Sequence, residues 1–373
     1  MSSEIDFDRI RQRVHDGVRL TREDAKWLLD RAEFLDLAEW ADGVRRRKHP
    51  EREVSFVVDR NINYTNVCVC GCRFCAFFRK PGSSDGYVLD EEKLDRKLRE
   101  TRDAGGTRIL LQGGLNPDLD IRFHCRMLER IRGRFLMGIH GYSPPEIRFI
   151  AKISGLSIER TIRMLRDAGL ESIPGGGAEI LEDKVRRRIS PRKCSSTEWL
   201  EVMETAHGLG IRSTATMMFG HVESTADRIS HLGKIRDLQD RTRGFIAFIP
   251  WPFQPGNTGM RMRPASAVDY LRTLAVSRLM LDNIPNIQSS WVTQGDKVAQ
   301  AALAFGANDM GSTMMEENVV AAAGVSFSLS QDDLCRLIRG AGYTPVQRDS
   351  LYRILRRFPI GFQGQNHVRS NHL

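Results

Sequence analysis

The chain has 373 residues, 41% hydrophobic and 28% charged, with a formal net charge of +9. This composition suits a globular protein with a sizeable core and excludes a disordered or low-complexity chain. No run approaches the roughly 18 apolar residues of a membrane span. The polar start MSSEIDFDRIRQRVHDG lacks the apolar stretch of a secretion signal, so the expected location is the cytoplasm, with no membrane partner.

Residues 1–52 read as a helical extension. Thr21-Arg-Glu-Asp24 has the spacing of a capping box ahead of Trp27, Leu28, Ala32, Leu35 and Leu37. The basic run Val44–Arg52 reads as a solvated helix end. No aromatic side chains interleave with its arginines, or with those of Lys184–Lys193, as a base-stacking surface requires. A nucleic-acid partner is therefore not expected, although the basic charge together with the cysteines keeps a metal-binding nucleic-acid-binding protein as the alternative from a different class.

From residue 53 short β-branched or apolar runs alternate with helical ones. Strands are predicted at 54–63, 107–113, 134–141, 170–176, 211–220, 243–250, 286–292 and 306–312, the last being weak. Helical patterns between them include 90–105, 196–210 and 264–283. Such alternation predicts an α/β fold with a parallel sheet, and eight units predict a (β/α)8 TIM-type barrel over residues 53–360. A six-strand partial barrel is the alternative. The tail 361–373 has few apolar residues and is expected to fray.

In such barrels the chemistry sits on loops after the C-terminal strand ends. Glycine, proline and polar side chains gather there: Gln112-Gly113-Gly114, His140-Gly-Tyr142, Pro174-Gly-Gly-Gly177, Phe219-Gly-His221 and Pro250-Trp-Pro252. Glycine and proline also mark ordinary turns, which explains any single case but less well the whole set.

The most informative loop is the first. Four of seven cysteines fall between residues 68 and 75, while Cys125, Cys194 and Cys335 are scattered. An odd, clustered set does not suit a disulfide framework and points to metal or redox chemistry. Cys68, Cys72 and Cys75 have C-x3-C-x2-C spacing, flanked by Phe74, Phe77 and Phe78. Three thiolates can hold three irons of a [4Fe-4S] cluster and leave the fourth open, as a catalytic metal requires. Zinc would need a fourth ligand from a second cysteine or histidine pair, and none follows. Cys70 lies two residues from both Cys68 and Cys72, too close to reach the far corner of a cluster, and reads as a non-ligand.

C-x3-C-x2-C after a first barrel strand is the hallmark of the radical S-adenosylmethionine (SAM) superfamily, which this sequence resembles. With ILLQGGLNPDL, IHGYSPPEI, SIPGGGAEIL, TATMMFGHVE, FIPWPFQP, SWVTQG and GANDMGSTMMEENVV, it is similar to the dehypoxanthine futalosine cyclase family within it, over residues 55–350. Aminofutalosine synthases and FO synthases share the cluster region and are the near alternatives. The family often has tyrosine where Phe78 stands.

The resemblance implies a radical SAM oxidoreductase with a [4Fe-4S] cluster and SAM, acting in the futalosine route to menaquinone. The small-molecule substrate would be dehypoxanthine futalosine, and the electron donor flavodoxin or ferredoxin. The family reaction takes hydrogen from ribose C4′; the carbon radical attacks the benzoate ring, which then loses an electron and a proton. Phe74 and Gln112-Gly113-Gly114 are implied contacts of SAM. Glu179 is implied for its ribose hydroxyls, and one of Arg186, Arg187 and Arg188, represented by Arg187, for its carboxylate.

The substrate pocket needs a cation or donor for the carboxylate, apolar walls and a base. His140, His221 and Ser290 are the candidate catalytic residues, with Gln254 and Asn286 as further polar candidates. Trp251, Phe253 and Trp291 are candidate walls; Met217, Met218, Met314 and Met315 are expected in the core.

Overall fold

The structure is a computed structural model that describes residues 2–325 and 327–359. The expected frayed tail, 361–373, lies outside the described residues. Strands form at β1 (Glu53–Val57), β2 (Asp59–Asn63), β3 (Arg108–Gln112), β4 (Gly138–Gly141), β5 (Ser172–Ile173) and β6 (Arg212–Phe219). They continue with β7 (Phe245–Pro252), β8 (Asn286–Ile287), β9 (Asp309–Ser312), β10 (Thr344–Arg348) and β11 (Ile354–Arg357).

Strands β2 to β8 form one parallel sheet in sequential order. The run predicted as one strand, 54–63, breaks at Val58 because its halves take different partners. β2 pairs with β3, whereas β1 pairs with β9 and β10. The ring closes between β8 and β9, where Asn308 N donates to Ile287 O at 3.0 Å and Ser289 N to Asp309 O at 2.8 Å. With β1–β2 counted as one staggered strand, the barrel has the eight predicted members, and the weak last strand is what completes it.

Several strands are shorter than their sequence runs. Phe135 still belongs to the helix Ile121–Phe135, which Leu136 ends in a left-handed conformation, φ 53°. β8 stops because Ser290 starts the helix Trp291–Ala301. The hairpin of β10 and β11 was not predicted. β10 is only TPVQR, and β11 is exposed throughout, so neither shows a buried apolar rhythm. The hairpin adds to β1 at its N-terminal half, beneath the barrel.

Helices Ser2–His15, Arg22–Arg31 and Phe34–Lys48 form the N-terminal part. Thr21 and Asp24 make the expected reciprocal capping box. Ala25, Leu28, Leu37 and Ala41 are buried; Leu35, expected among them, is exposed. Arg19 bonds Asp240 and Asp282, and Arg272 donates to the carbonyls of Leu28 and Leu29, tying these helices to the barrel. No helix among the described residues is long and apolar enough to cross a membrane.

Candidate active site

The inner face of β2 shows why this barrel is not filled by a core. Asp59, Asn61 and Asn63 alternate with Arg60 and Ile62, so successive inward side chains are polar. β3 adds Arg108, Leu110 and Gln112, and β6 adds Thr214 and Thr216. These side chains line a cavity of about 390 Å³ inside the barrel.

The cysteine loop leaves β2 at the C-terminal end and covers this cavity. It is held by main-chain bonds on several sides. Val69 N donates to Leu115 O at 3.0 Å, Cys68 N to Arg79 O at 2.8 Å and Arg73 N to Ile189 O at 2.9 Å. The Arg79 guanidinium donates to the carbonyls of Phe77 and Phe78 and pairs with Asp85. Gly71, φ 60°, lies against Arg192, which donates to Cys70 O at 3.0 Å; a Cβ there would meet that guanidinium at 2.3 Å.

Cys68, Cys70, Cys72 and Cys75 all line the cavity, with Phe74, Phe77 and Phe78 around them. The Cys70 and Cys72 sulfurs are 3.4 Å apart. This contact pulls the Cys72 thiol down to about 7 and pushes that of Cys70 up, so Cys72 is the readier thiolate. Burial raises Cys75. Among the described residues no three acidic, histidine or cysteine side chains converge into a preformed metal cage. The fit of an iron–sulfur cluster rests on thiolate donors sharing one cavity wall.

Gln112, Gly113 and Gly114 border the loop. A Cβ on Gly114 would lie 2.2 Å from Val67 O, and one on Gly113 would lie 2.4 Å from the Tyr64 ring. Only glycine lets the two segments approach this closely. Behind them Glu146 is buried and accepts from Gly113 N at 2.9 Å, Tyr64 Oη at 2.8 Å and Ser143 N at 2.7 Å. The Tyr64, Tyr142 and His124 rings pack together there.

Burial holds His124 near 4, so it stays neutral while an unfolded histidine protonates near 6.5. A depressed histidine leaves stability intact above the unfolded pKa and removes it as pH falls towards the folded one. Denaturant titrations are expected to show a loss of about 2 kcal/mol from His124 between pH 7 and pH 5. His124→Phe should flatten that slope, and an unchanged slope would contradict the assignment.

Glu179 lines the cavity in a left-handed conformation, φ 40°. Its Oε1 accepts from Lys193 Nζ at 2.8 Å, and its buried Oε2 has no hydrogen-bond partner among the described residues. Lys193 also lines the cavity and lies 5.0 Å from the Phe74 ring centre. Burial opposes its charge, yet Cys72 and Glu179 hold its pKa above the usual value. Glu179 Oε2 lies 3.6 Å from the Arg186 guanidinium, and a carboxylate beside an ammonium group suits a ligand carrying both donors and acceptors, as SAM does.

The basic run Lys184–Lys193 meets the cavity at a residue other than Arg187. Arg187 is exposed on the helix Asp183–Ile189 and does not reach the cavity, because that helix turns Arg186 inward instead. Arg186 is occupied by the carbonyls of Gly177, Ala178 and Cys194. Within the basic run Lys184–Lys193, Lys193 is the residue that lines the cavity; its place in that run hid it in the sequence.

The catalytic candidates separate. His140 lines the cavity, is buried, and contacts Ser172 Oγ through Nδ1 at 2.8 Å. Burial and the charges of Arg108 and Arg348 push its pKa well below the usual value, so the ring is neutral. Ser290 also lines the cavity, with its hydroxyl 2.8 Å from that of Thr293. His221 is a correction: it lies outside the cavity, with Nε2 on Met218 O at 3.0 Å and Nδ1 accepting from Val222 N at 2.7 Å. Both ring nitrogens brace its own turn.

Trp251 and Trp291 line the cavity; Phe253 instead packs edge-on against His221. Asn286 and Gln254 do not line the cavity; their side-chain amides donate to Ile246 O and Thr293 O. Met217 and Met218 are core, Met314 lines the cavity and Met315 is exposed. Residues not anticipated include Asn61, Arg108, Gln288, Glu317, Arg348 and Tyr352. The period of two in Asp59, Asn61 and Asn63 was the available signal for Asn61.

The family described as "Radical SAM superfamily" matches residues 62–235, and "CofH/MqnC C-terminal region" matches 242–359. The chain is 47% identical over 354 residues to cyclic dehypoxanthine futalosine synthase of Halalkalibacterium halodurans, covering 94% of this chain and 96% of that one. The chain belongs to the radical SAM superfamily. It is an enzyme whose cofactors are a [4Fe-4S] cluster and SAM.

This radical SAM enzyme is also 43% identical over 360 residues to the synthase of the same name from Streptomyces coelicolor, covering 95% and 90%. It is 44% identical over 325 residues to 5-amino-6-(D-ribitylamino)uracil–L-tyrosine 4-hydroxyphenyl transferase of Methanopyrus kandleri, covering 83% and 88%. Methylornithine synthase (PylB) has a similar fold, with TM-score 0.70 at 18% identity over 90% of this chain and 97% of that one. So does HydG, a maturase of [FeFe]-hydrogenase, with TM-score 0.72 at 15% identity, covering 93% and 76%.

Proposed function

We propose that this enzyme cyclises dehypoxanthine futalosine to cyclic dehypoxanthine futalosine, a step of the futalosine route to menaquinone. The observation that carries the reading is near full-length similarity to two synthases of that product, at 47% and 43% identity. A closed barrel with a cavity of about 390 Å³ under the cysteine loop accords with a small-molecule substrate.

When bound, the cluster and SAM supply a 5′-deoxyadenosyl radical able to take hydrogen from an unactivated C–H bond. The chain does the rest. Cys68, Cys72 and Cys75 hold the cluster, while Phe74, Phe77 and Phe78 keep water from it. Lys193 and Glu179 hold the charged and hydroxyl groups of SAM. Trp251 and Trp291 wall the substrate. His140, neutral and facing the cavity, accepts the proton that leaves the ring as aromaticity returns.

A second reading is the tyrosine 4-hydroxyphenyl transferase reaction, favoured by the 44% identity to the Methanopyrus protein. The two are separated by anaerobic assays of reconstituted, reduced enzyme with SAM and each substrate set. The expected result is substrate-dependent 5′-deoxyadenosine and a product lighter than dehypoxanthine futalosine by a pair of hydrogens. Turnover only with tyrosine and the ribitylaminouracil would replace the first reading with the second.

A further inference from the structure

The barrel floor carries a charge arrangement that the SAM site does not use. Asp309 is saturated: Arg348 donates to both its oxygens, at 2.5 and 2.9 Å, and Ser55 Oγ and Gly311 N add two more bonds. Arg348 is thereby committed, with its remaining terminal nitrogen on Asp349 O at 3.1 Å. Arg108 is not. It lines the cavity at 7% exposure, and its one hydrogen bond among the described residues is Nε to Asp59 Oδ2, at 2.7 Å. Its two terminal nitrogens, which form the end of the guanidinium fork, have no acceptor among those residues.

Beside it stands Tyr352, which follows β10 in a left-handed conformation, φ 63°, with Arg348 3.8 Å from its ring centre. Tyr352 lines the same cavity, and its buried hydroxyl has no hydrogen-bond partner among the described residues. The idle buried hydroxyl is costly unless a ligand completes it, and the fork, which faces the cavity, is free to take one. Both are donors, so the ligand brings acceptor oxygens. The planar fork matches a carboxylate bidentately.

The strand register gives the spacing. Arg108 is opposite Gly138 and Leu110 opposite His140, so Arg108 sits one inward-facing step below His140, about 6.6 Å along the strand. A carboxylate on Arg108 therefore puts an attached aromatic ring at the level of His140, with the rest of the molecule rising towards the cysteine loop.

We propose that Arg108 and Tyr352 form the subsite for the substrate's aromatic carboxylate, a role that rests on the cyclase reading only for the identity of that substrate. The C-terminal hairpin thus supplies a specificity residue from below the barrel.

Two measurements on reconstituted holoenzyme test this. In the first, calorimetry measures benzoate and benzamide binding to wild type, Arg108→Gln and Tyr352→Phe, with no turnover needed. Wild type is expected to prefer benzoate, and Arg108→Gln to weaken benzoate about 10- to 100-fold while leaving benzamide little changed. Tyr352→Phe, which removes only an oxygen without a protein partner, is expected to weaken benzoate several-fold. In the second, KM is measured for dehypoxanthine futalosine and its carboxamide analogue, with bound iron and SAM binding as controls. The carboxylate preference should collapse in both variants.

Benzoate preference lost in the variants supports the subsite even if dehypoxanthine futalosine is not a substrate, in which case only the cyclase reading fails. Turnover by wild type with the carboxylate preference intact in Tyr352→Phe and Arg108→Gln would overturn the subsite and leave the cyclase reading standing. If Arg108→Gln does not fold, Tyr352→Phe decides alone.

Discussion

Replacing Cys68, Cys72 or Cys75 singly by alanine is expected to abolish turnover and strip most bound iron, whereas Cys70→Ala keeps both. The loop gives the reason. Cys70 O is held by Arg192 at 3.0 Å, and Cys70 N contacts Cys68 Sγ at 3.4 Å, so the residue is fixed as a spacer between two ligands. Its thiol, 3.4 Å from that of Cys72, is pushed towards the protonated form by that contact, as Cys75 is by burial, so the spacer geometry rather than acidity sets it apart. Iron content and 5′-deoxyadenosine release from the four variants check this under anaerobic conditions. Loss of iron from Cys70→Ala, with iron kept by one of the other three, would reassign the ligand set.

Asp309→Ala is expected to destabilise the fold by about 3–5 kcal/mol, the usual consequence of leaving a buried charge without its partner. Both side chains are almost wholly enclosed, at 1% exposure for Arg348 and 0% for Asp309. The pair joins β9, which closes the ring, to the end of β10. Replacing both residues, as in Asp309→Leu with Arg348→Met, should recover much of the loss, since an apolar pair needs no counter-charge. Denaturant midpoints for wild type, single and double variants measure it. A loss under about 1 kcal/mol in Asp309→Ala would show that water or another group reaches Arg348.

Much of this was legible in the sequence. Strand–helix alternation marked every member of the barrel, because each βα unit repeats the same hydrophobic rhythm. The cysteine spacing marked the loop because cluster ligation dictates local distances. What escaped depended on distant partners. Nothing local distinguishes Lys193 from the arginines before it; only the fold brings it against Glu179 and Phe74. Arg187 failed for the same reason, since helical phase decides which of three adjacent arginines turns inward. His221 looked like Phe219-Gly-His221 at a strand end, yet its ring bonds back to its own turn. Arg348 and Tyr352 lie in a segment too polar to read as a strand, and their place under the barrel follows from pairing with β1.

That pairing has a consequence for the order in which the protein is made. Among the described strands β1 comes first in chain order, and its neighbours, β9 and β10, come about 250 residues or more later. While the intervening 250 or so residues emerge, β1 has both edges open, and closure spans nearly the whole chain. Until Arg348 arrives, Asp309 has no counter-charge in the closing barrel. The same late segment brings Tyr352. Closing the ring and completing its floor therefore both depend on strands far along the chain from β1.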